Sequence, residues 1–398
     1  MLRHLLKLIW KRKGRNMMLS LEILLAFMLV FAIAAFGLRY WQLYQLPVGH
    51  NWRNQWSVSI LPSGPEIPND PVLFDNIKRS LLELPEVESV AFSSFPTYTF
   101  TRWTEDYTLP DGSAKLTIDG MAVSDDFFAT MDMRLVAGRF FSRIDDGADA
   151  APVVINRKLA DRWFPGKNPI GQLYLLPRDK EQPVRYRVVG VVEQFRSQGD
   201  YMDPVYFMLP RWVPGVAKEA ASAIVLKVKP GTPRVFEAKL VTRLKQIRND
   251  WTYLAGPLED ARDAIMRTQT TPLVILSVIA AFLLVMVAFG LFGVLWQNTT
   301  QRIPEIGLRR ALGADAGSIY RQIATEQILL SSGAMLVALV LLVQLPLTGV
   351  LGDGLNWPVF FGATALSASV IYLLSLVCSL YPGWRAARLS PTQALHYE

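Results

Sequence analysis

One cysteine and three histidines in 398 residues leave little material for metal or thiol chemistry. His4, His50 and His396 are scattered along the chain without an acidic or cysteine partner at ligand spacing, so the pattern of a zinc site is missing. The same scarcity removes a Ser-His-Asp triad, and His50, in a glycine-containing connector behind an apolar run, is expected at the surface. Cys378 sits inside another apolar run, so the rest of the chain has no disulfide and must be held by its own core. No G-x-x-x-x-G-K-[ST] phosphate loop occurs. The nearest lookalike, Phe164-Pro165-Gly166-Lys167-Asn168-Pro169, lacks the glycine spacing and the following helix that would cradle phosphates, and ATP hydrolysis is not expected of this chain. The pairs Asp125-Asp126 and Asp145-Asp146 stand at turn or helix-start positions, where capping and solvation are expected rather than acid/base work.

What the chain has in quantity is apolar surface. Hydrophobic residues make up 51% and mean hydropathy is +0.23, concentrated in four stretches without Lys or Arg: Met17 to Leu38, Pro272 to Trp296, Ile323 to Leu345 and Trp357 to Leu380. Each can cross roughly 30 Å of hydrocarbon as a helix. The first is too long for a cleaved secretory signal and no A-x-A-like site closes it, so it is expected to remain as an anchor.

Basic residues set the orientation. Arg3, Lys7, Lys11, Arg12, Lys13 and Arg15 precede the first span, Arg302, Arg309, Arg310 and Arg321 lie between the second and third, and Arg385 and Arg388 follow the fourth. These segments are read as cytoplasmic, with both termini inside, while residues 39–271 and the Lys- and Arg-free link 346–356 lie outside. The net charge of +7 is therefore a topological excess, and nucleic-acid binding is not indicated. In the first thirteen residues Leu2, Leu5, Leu6 and Ile9 share a face opposite Arg3, Lys7 and Lys11, which fits a basic amphipathic helix on membrane lipid.

Within the outer segment, Trp56 to Leu61, Pro71 to Leu84 and Val87 to Ser93 read as strand, helix and strand; Ala223 to Val228, Val235 to Arg248 and Trp251 to Ala255 repeat the order. Two β-α-β units so far apart imply one domain split by an inserted lobe. That lobe, from about Thr117 to Leu209, should be mostly β with one short helix near Arg157 to Trp163. Leu258, Ala261, Ala264 and Ile265 then recur at helical spacing among charges, predicting a stalk that runs into the second span with one side buried.

Two carboxylates, Glu22 and Glu326, lie inside apolar spans, where a charge at mid-membrane costs roughly 2.5 to 3.5 kcal/mol. Both are near the cytoplasmic ends, and pairing with arginines such as Arg310 or Arg321 is expected. The strongest local pattern is Gln301-Arg302-Ile303-Pro304-Glu305-Ile306-Gly307-Leu308-Arg309-Arg310-Ala311-Leu312-Gly313-Ala314. Pro304 and Glu305 mark a helix start, Arg309 and Arg310 its negative end, and Gly313 its stop. Ile306, Ala311 and Leu312 can form one apolar side, which gives a capped amphipathic knob suited to docking.

That run, followed by Ile319, Gln322, Glu326 and Gly333, resembles the R-x-x-E-I-G-x-R-x-A-x-G-A motif of the FtsX-like permease domain. The tail from Tyr381 and Pro382 through Ala386, Pro391, Ala394 and Leu395 is similar to that family's closing pattern. Val123-Ser124-Asp125-Asp126-Phe127-Phe128, Gly138-Arg139-Phe140-Phe141, Asn168-Pro169-Ile170-Gly171 and Val188-Val189-Gly190-Val191-Val192 resemble the MacB-type periplasmic core domain. The first span lacks the glycine-rich pattern common in MacB, and no ATPase is fused, so a stand-alone permease of the MacB/FtsX superfamily is the expectation.

The resemblance implies an α+β membrane protein with four transmembrane helices and a large extracytoplasmic domain. Its expected parts are a cytoplasmic helix (1–16), spans at 17–38, 272–296, 323–345 and 357–380, and a porter-like part (39–116 and 210–257) with an inserted lobe (117–209) and stalk (258–271). A coupling loop (297–322), a short outer loop (346–356) and a cytoplasmic tail (381–398) complete it. Implied partners are an ABC-type ATPase that binds ATP and Mg, a second permease copy or homologue, and a periplasmic adaptor with an outer-membrane channel. The chain itself needs no cofactor. Spans without a polar stripe fit force transmission better than conduction. Efflux of an antibiotic, peptide or similar amphiphile leads; lipoprotein release and a sensor without transport are the alternatives.

Overall fold

The computed structural model describes residues 13–388 except 65, 109–114, 177–183, 218 and 351. The amphipathic leader and the end of the closing pattern, from residue 389, lie outside the described residues. Two compact units result: Leu43–Gln269, and Met1–Gln42 together with Thr270–Glu398.

Helix α1, Lys13–Tyr44, carries the first apolar run. In the unit that follows it, a four-stranded sheet joins β1 (Gln55–Leu61) and β2 (Val87–Ser93), linked by α2 (Pro71–Leu82), to strands from far downstream. Asp70 caps α2 by accepting from the Val72 amide at 3.0 Å and Pro71 opens its first turn, so Phe74, Ile77 and Leu81 turn onto the sheet.

A seven-stranded sheet comes next, from β3 (Trp103–Thr108), β4 (Lys115–Gly120), β5 (Leu135–Gly138), β6 (Ala151–Asn156), β7 (Leu173–Leu176), β8 (Val184–Val192) and β9 (Phe207–Pro210). Its order is β3-β4-β9-β6-β8-β5, with β7 also on β8. Helices α3 (Phe127–Thr130) and α4 (Arg157–Trp163) lie between these strands in the chain. The chain then returns to the first sheet as β10 (Ala223–Val228), α5 (Phe236–Ile247) and β11 (Thr252–Pro257), giving the antiparallel order β11-β1-β10-β2.

Each β-α-β unit thus has a strand of the other unit between its own two strands, and neither can complete the sheet alone. Phe236, Leu240 and Leu244 of α5 share a core with the inward residues of α2 and with Trp56, Val58 and Ile60. Trp212, on the return from β9, packs edge-on against Phe74 at 4.8 Å and fixes the exit of the insert in that core. A second core is shared by both sheets: Ala91 and Val225 from the first meet Val154 and Leu209 from the second, with Val123 and, from α3, Phe127 beside them.

The structure corrects several expectations here. The second sheet reaches back to Trp103, ahead of the expected boundary at residue 117, because β3 pairs residue by residue with β4 from Trp103–Gly120 to Thr108–Lys115. Its Thr-Glu-Asp centre hid it. The lobe has the additional short helix α3. Asp145 caps a short turn as expected, accepting from the Ser142 amide at 3.0 Å, but the aspartates are also ion-paired: Asp125 takes two hydrogen bonds from Arg211 at 2.7 and 2.8 Å, Asp146 also pairs with Arg211 at 2.7 Å, and Asp126 pairs with Lys78. Asp145 pairs with Arg139 at 2.7 Å, whose hydrogen bonds hold its carboxyl below the usual carboxylate range. His50 is half-buried rather than exposed, with Tyr98 and Phe195 rings 5.4 and 5.2 Å away, and burial pushes its pKa down to about 4.

Helix α6 is continuous from Leu258 to Gln301 with Pro272 inside it. Leu258 and Ile265 enter the shared core and Ala261 packs against it, whereas Ala264, expected on that side, is exposed. Then follow α7 (Ile303–Ala311), α8 (Ala316–Leu342), α9 (Gln344–Thr348) and α10 (Trp357–Arg388). Four of these helices, α1, α6, α8 and α10, are long and apolar enough to cross a membrane. They pack around Phe27, Phe31, Leu291, Ala338, Phe360 and Ala363.

Two expectations change in this unit as well. Helix α10 continues past Leu380 through Pro382, and Tyr381 stacks on Trp296 at 5.8 Å, extending the packed helix beyond the expected end of the span. The spans do carry a polar seam: Ser331 and Ser375 hydrogen-bond at 2.9 Å, Gln327 donates to Ser331 at 3.3 Å and Ser332 meets Tyr372 at 2.8 Å. These groups satisfy one another between α8 and α10, as hydrogen bonds between membrane helices do, and bind the two helices together.

Candidate functional site

The run predicted to be a docking knob forms α7, closed by a specific stop. Gly313 takes φ +96°, and the Ala314 amide reaches back to the Arg309 carbonyl at 3.0 Å, the 6→1 bond of a Schellman motif. Asp315 then caps α8, accepting from the Ser318 amide at 3.2 Å. The turn between the helices is therefore short and doubly fixed. Pro304 and Glu305 occupy the first turn of α7, as expected from their tolerance for free amides and for the positive dipole end.

Two kinds of contact brace α7 on α8. Ile306 packs against Ile319 and Ile323 in a small apolar cluster, and Ile303 and Gly307 are buried on the same side. Beside it runs a chain of charged and amide groups. Arg302 donates to both Glu326 oxygens at 3.0 and 2.8 Å, Gln322 donates to Glu326 at 3.1 Å, Arg309 donates to Gln322 at 2.7 Å, and Arg309 also donates to Glu305 at 2.6 Å. Residues from the end of α6, both ends of α7 and the third turn of α8 are thus fixed in one array.

Glu326 is paired with Arg302, not with Arg310 or Arg321. Its carboxylate lies on the α8 side facing the α6–α7 junction, where Arg302 enters. The Arg310 side chain lies outside the described residues. Glu22, in α1, has no arginine partner among the described residues. It is half-buried against α6, where a Cβ at Gly290 would fall 2.7 Å from its carboxylate oxygen, so that glycine leaves the room it occupies.

The opposite side of α7 is open. Leu308 is 57% and Leu312 81% exposed, one helical turn apart, with Pro304, Glu305 and Ala311 also exposed. The single apolar side expected from Ile306, Ala311 and Leu312 is therefore two: Ile306 faces inward, and Leu308 with Leu312 forms an outward ridge. Helical spacing puts Ile306 and Leu312 on different faces, and only the packing partner identifies which is covered. Gln322, which the motif pattern already included, gains its role as the bridge between Arg309 and Glu326 only from the fold.

Comparison with known proteins gives similarity across most of the chain. The macrolide export ATP-binding/permease protein MacB of Shewanella sp. (strain W3-18-1) is 26% identical over 299 residues, covering 73% of this chain and 45% of the relative. The probable syringafactin export ATP-binding/permease protein SyfD of Pseudomonas syringae pv. tomato is 26% identical over 295 residues, covering 69% of this chain and 41% of that one. The chain thus spans less than half the length of these curated relatives. Among solved structures, the periplasmic region of MacB from Actinobacillus actinomycetemcomitans aligns at TM-score 0.39 with 15% identity, over 56% of this chain and 98% of its own. The extracellular domain of the transporter YknZ from Gram-positive bacteria aligns at TM-score 0.34 with 14% identity, over 50% and 99%. With residues 20–240 matching the MacB-like periplasmic core domain and residues 277–391 the FtsX-like permease C-terminal model, the chain belongs to the MacB/FtsX-type permease family.

Proposed function

We propose that this chain is the permease subunit of an inner-membrane ABC transporter, in which α7 receives the stroke of a separate ATPase and α6 carries it to the extracytoplasmic unit. In this reading both termini and residues 297–322 are cytoplasmic and residues 39–271 are periplasmic, as the distribution of arginine and lysine in the short segments supports. ATP and Mg are bound by the ATPase. The permease acts with a second copy or a homologue, and exports an antibiotic, peptide or similar amphiphile through a periplasmic adaptor and an outer-membrane channel. The relatives named for macrolide and syringafactin export support that choice of cargo.

The observation that carries the proposal is the two-sidedness of α7. Its inner side is held by Ile306 and by the Arg302–Glu326–Gln322–Arg309 array, while its outer side offers Leu308 and Leu312. A braced helix with an open apolar ridge transmits a push; a free one would absorb it. The test is the double variant Leu308→Ser/Leu312→Ser, copurified with the ATPase and assayed for ATP-driven export. Loss of association with normal membrane insertion is expected, and undiminished association and export would refute the docking role.

A further inference from the structure

The largest fully buried side chain among the described residues is an arginine. Arg196, in the loop between β8 and β9, donates to the carbonyls of Leu43 at 3.1 Å, Pro47 at 3.2 Å, Asp200 at 2.8 Å and Met202 at 3.2 Å, and to that of Leu46. Three of these acceptors lie at and just beyond the end of α1, where a helix leaves carbonyls without partners and its dipole favours a cation. The Asp200 carboxylate, on the same loop, accepts from Arg262 Nε and Nη2, both at 2.8 Å. Arg262 belongs to the second turn of α6. Its guanidinium lies 4.5 Å over the Trp52 ring.

The surroundings lock this array in shape. Gly199 turns the loop at φ +96°, and a Cβ there would come within 2.6 Å of the Tyr98 ring. Tyr98 itself adopts φ +57°, and its amide donates to the Ser197 carbonyl at 2.7 Å. Gly49, at φ +93°, has a Cβ position occupied by the Gln194 carbonyl oxygen. Replacing Gly49 would require the Gln194 backbone to move, and replacing Gly199 would displace the Tyr98 ring.

We propose that Arg196, Asp200 and Arg262 form a rigid joint that couples the outer end of α1 and the first turns of α6 to the centre of the seven-stranded sheet. Apolar contacts tolerate sliding. A guanidinium whose donors are spent on backbone carbonyls away from water does not, because any shift leaves buried donors unmatched. The loop it anchors connects β8 and β9, the two strands that flank β6, so displacement of either helix end is delivered to the middle of the sheet rather than to an edge. These are positioning residues, and their role in transport rests on the force-transmission reading above.

The experiment uses the full chain in membranes, with Cys378→Ser as background and spin labels at the exposed positions Gln45 and Thr268, which lie on the two segments that meet at the joint. Two variants are compared: Asp200→Asn, which removes the charge, and Arg262→Lys, which keeps charge but loses the paired donors, so that one remains if the other does not fold. Among folded molecules, both are expected to broaden the distance distribution at least about twofold and to lower the substrate exported per ATP about tenfold. Arg139→Lys, at the exposed pair with Asp145, is expected to change neither. Wild-type width in either folded variant overturns the joint, as does a broadened width with an unchanged export-per-ATP ratio. Absence of ATP-driven export in the wild type would overturn the functional reading instead, and the distance distribution would still decide the joint.

Discussion

Replacing Glu326 with alanine tests the bracing of α7 quantitatively. Glu326 accepts two hydrogen bonds from Arg302 and one from Gln322, and the Arg302 and Glu326 side chains are 17% and 21% exposed. A fully exposed pair of this kind contributes about 0 to 1 kcal/mol. Breaking a fully buried one costs about 3 to 5 kcal/mol, because the surviving charge is left uncompensated. At this intermediate exposure about 2 kcal/mol is expected, which corresponds to about a thirtyfold rise in the local opening of α7 from α8. The cluster of Ile306, Ile319 and Ile323 remains, so the helix should loosen rather than unfold. Amide hydrogen exchange in membranes reads this directly: protection over residues 306–312 should fall by about that factor while α10 stays unchanged. Arg302→Ala and the double variant complete a cycle, with a coupling energy above about 1 kcal/mol expected. Unchanged protection, or additive single effects, would mean that the array is ornamental and that apolar packing alone holds α7.

His50 makes the extracytoplasmic unit sensitive to acid. Burial lowers its pKa from 6.5 to about 4, so the unfolded chain binds the proton first: stability is complete above about pH 6.5, falls as pH drops toward 4, and loses at most about 3 kcal/mol. Thermal melts from pH 7 to 4 should show this slope, flattened in His50→Phe; an equal slope in both would refute the assignment. Cysteines introduced at Ile144, 84% exposed, and at Leu312 in a Cys378→Ser background should react with impermeant reagents only from outside and only from inside respectively, and the reverse pattern would invert the topology. Gly199 is unsuitable for such a label because of its backbone conformation. A short Gly-Ser insertion after Arg267, in the continuous α6, should abolish export while sparing membrane insertion and ATPase association; full export with the flexible insert would remove the stalk from the mechanism.

Local pattern determined the elements of this protein. Four long apolar runs can satisfy their backbone in a membrane only as helices, the strand-helix-strand order recurs in both halves of the four-stranded sheet, and Pro304, Glu305 and Gly313 mark both ends of α7 within the chain itself. Edges were less legible where composition obscured period. The acidic centre of β3 concealed a strand that only its pairing with β4 makes evident, and the spans read as lacking a polar stripe until serines of α8 and α10 faced each other.

Tertiary structure alone decided the partners of charged groups. Glu326 could have met any of several nearby arginines, and only the path from α6 into α7 brings Arg302 to it. Arg196, Asp200 and Arg262 lie in a loop and a helix far apart in sequence, with no spacing or motif to link them, and His50 reads as a connector residue until Tyr98 and Phe195 close over it. The physical reason is one of range. Helical and strand periods act over a few residues and are written in order along the chain, whereas the fate of a charge depends on which distant groups the completed fold places within about 3 Å of it.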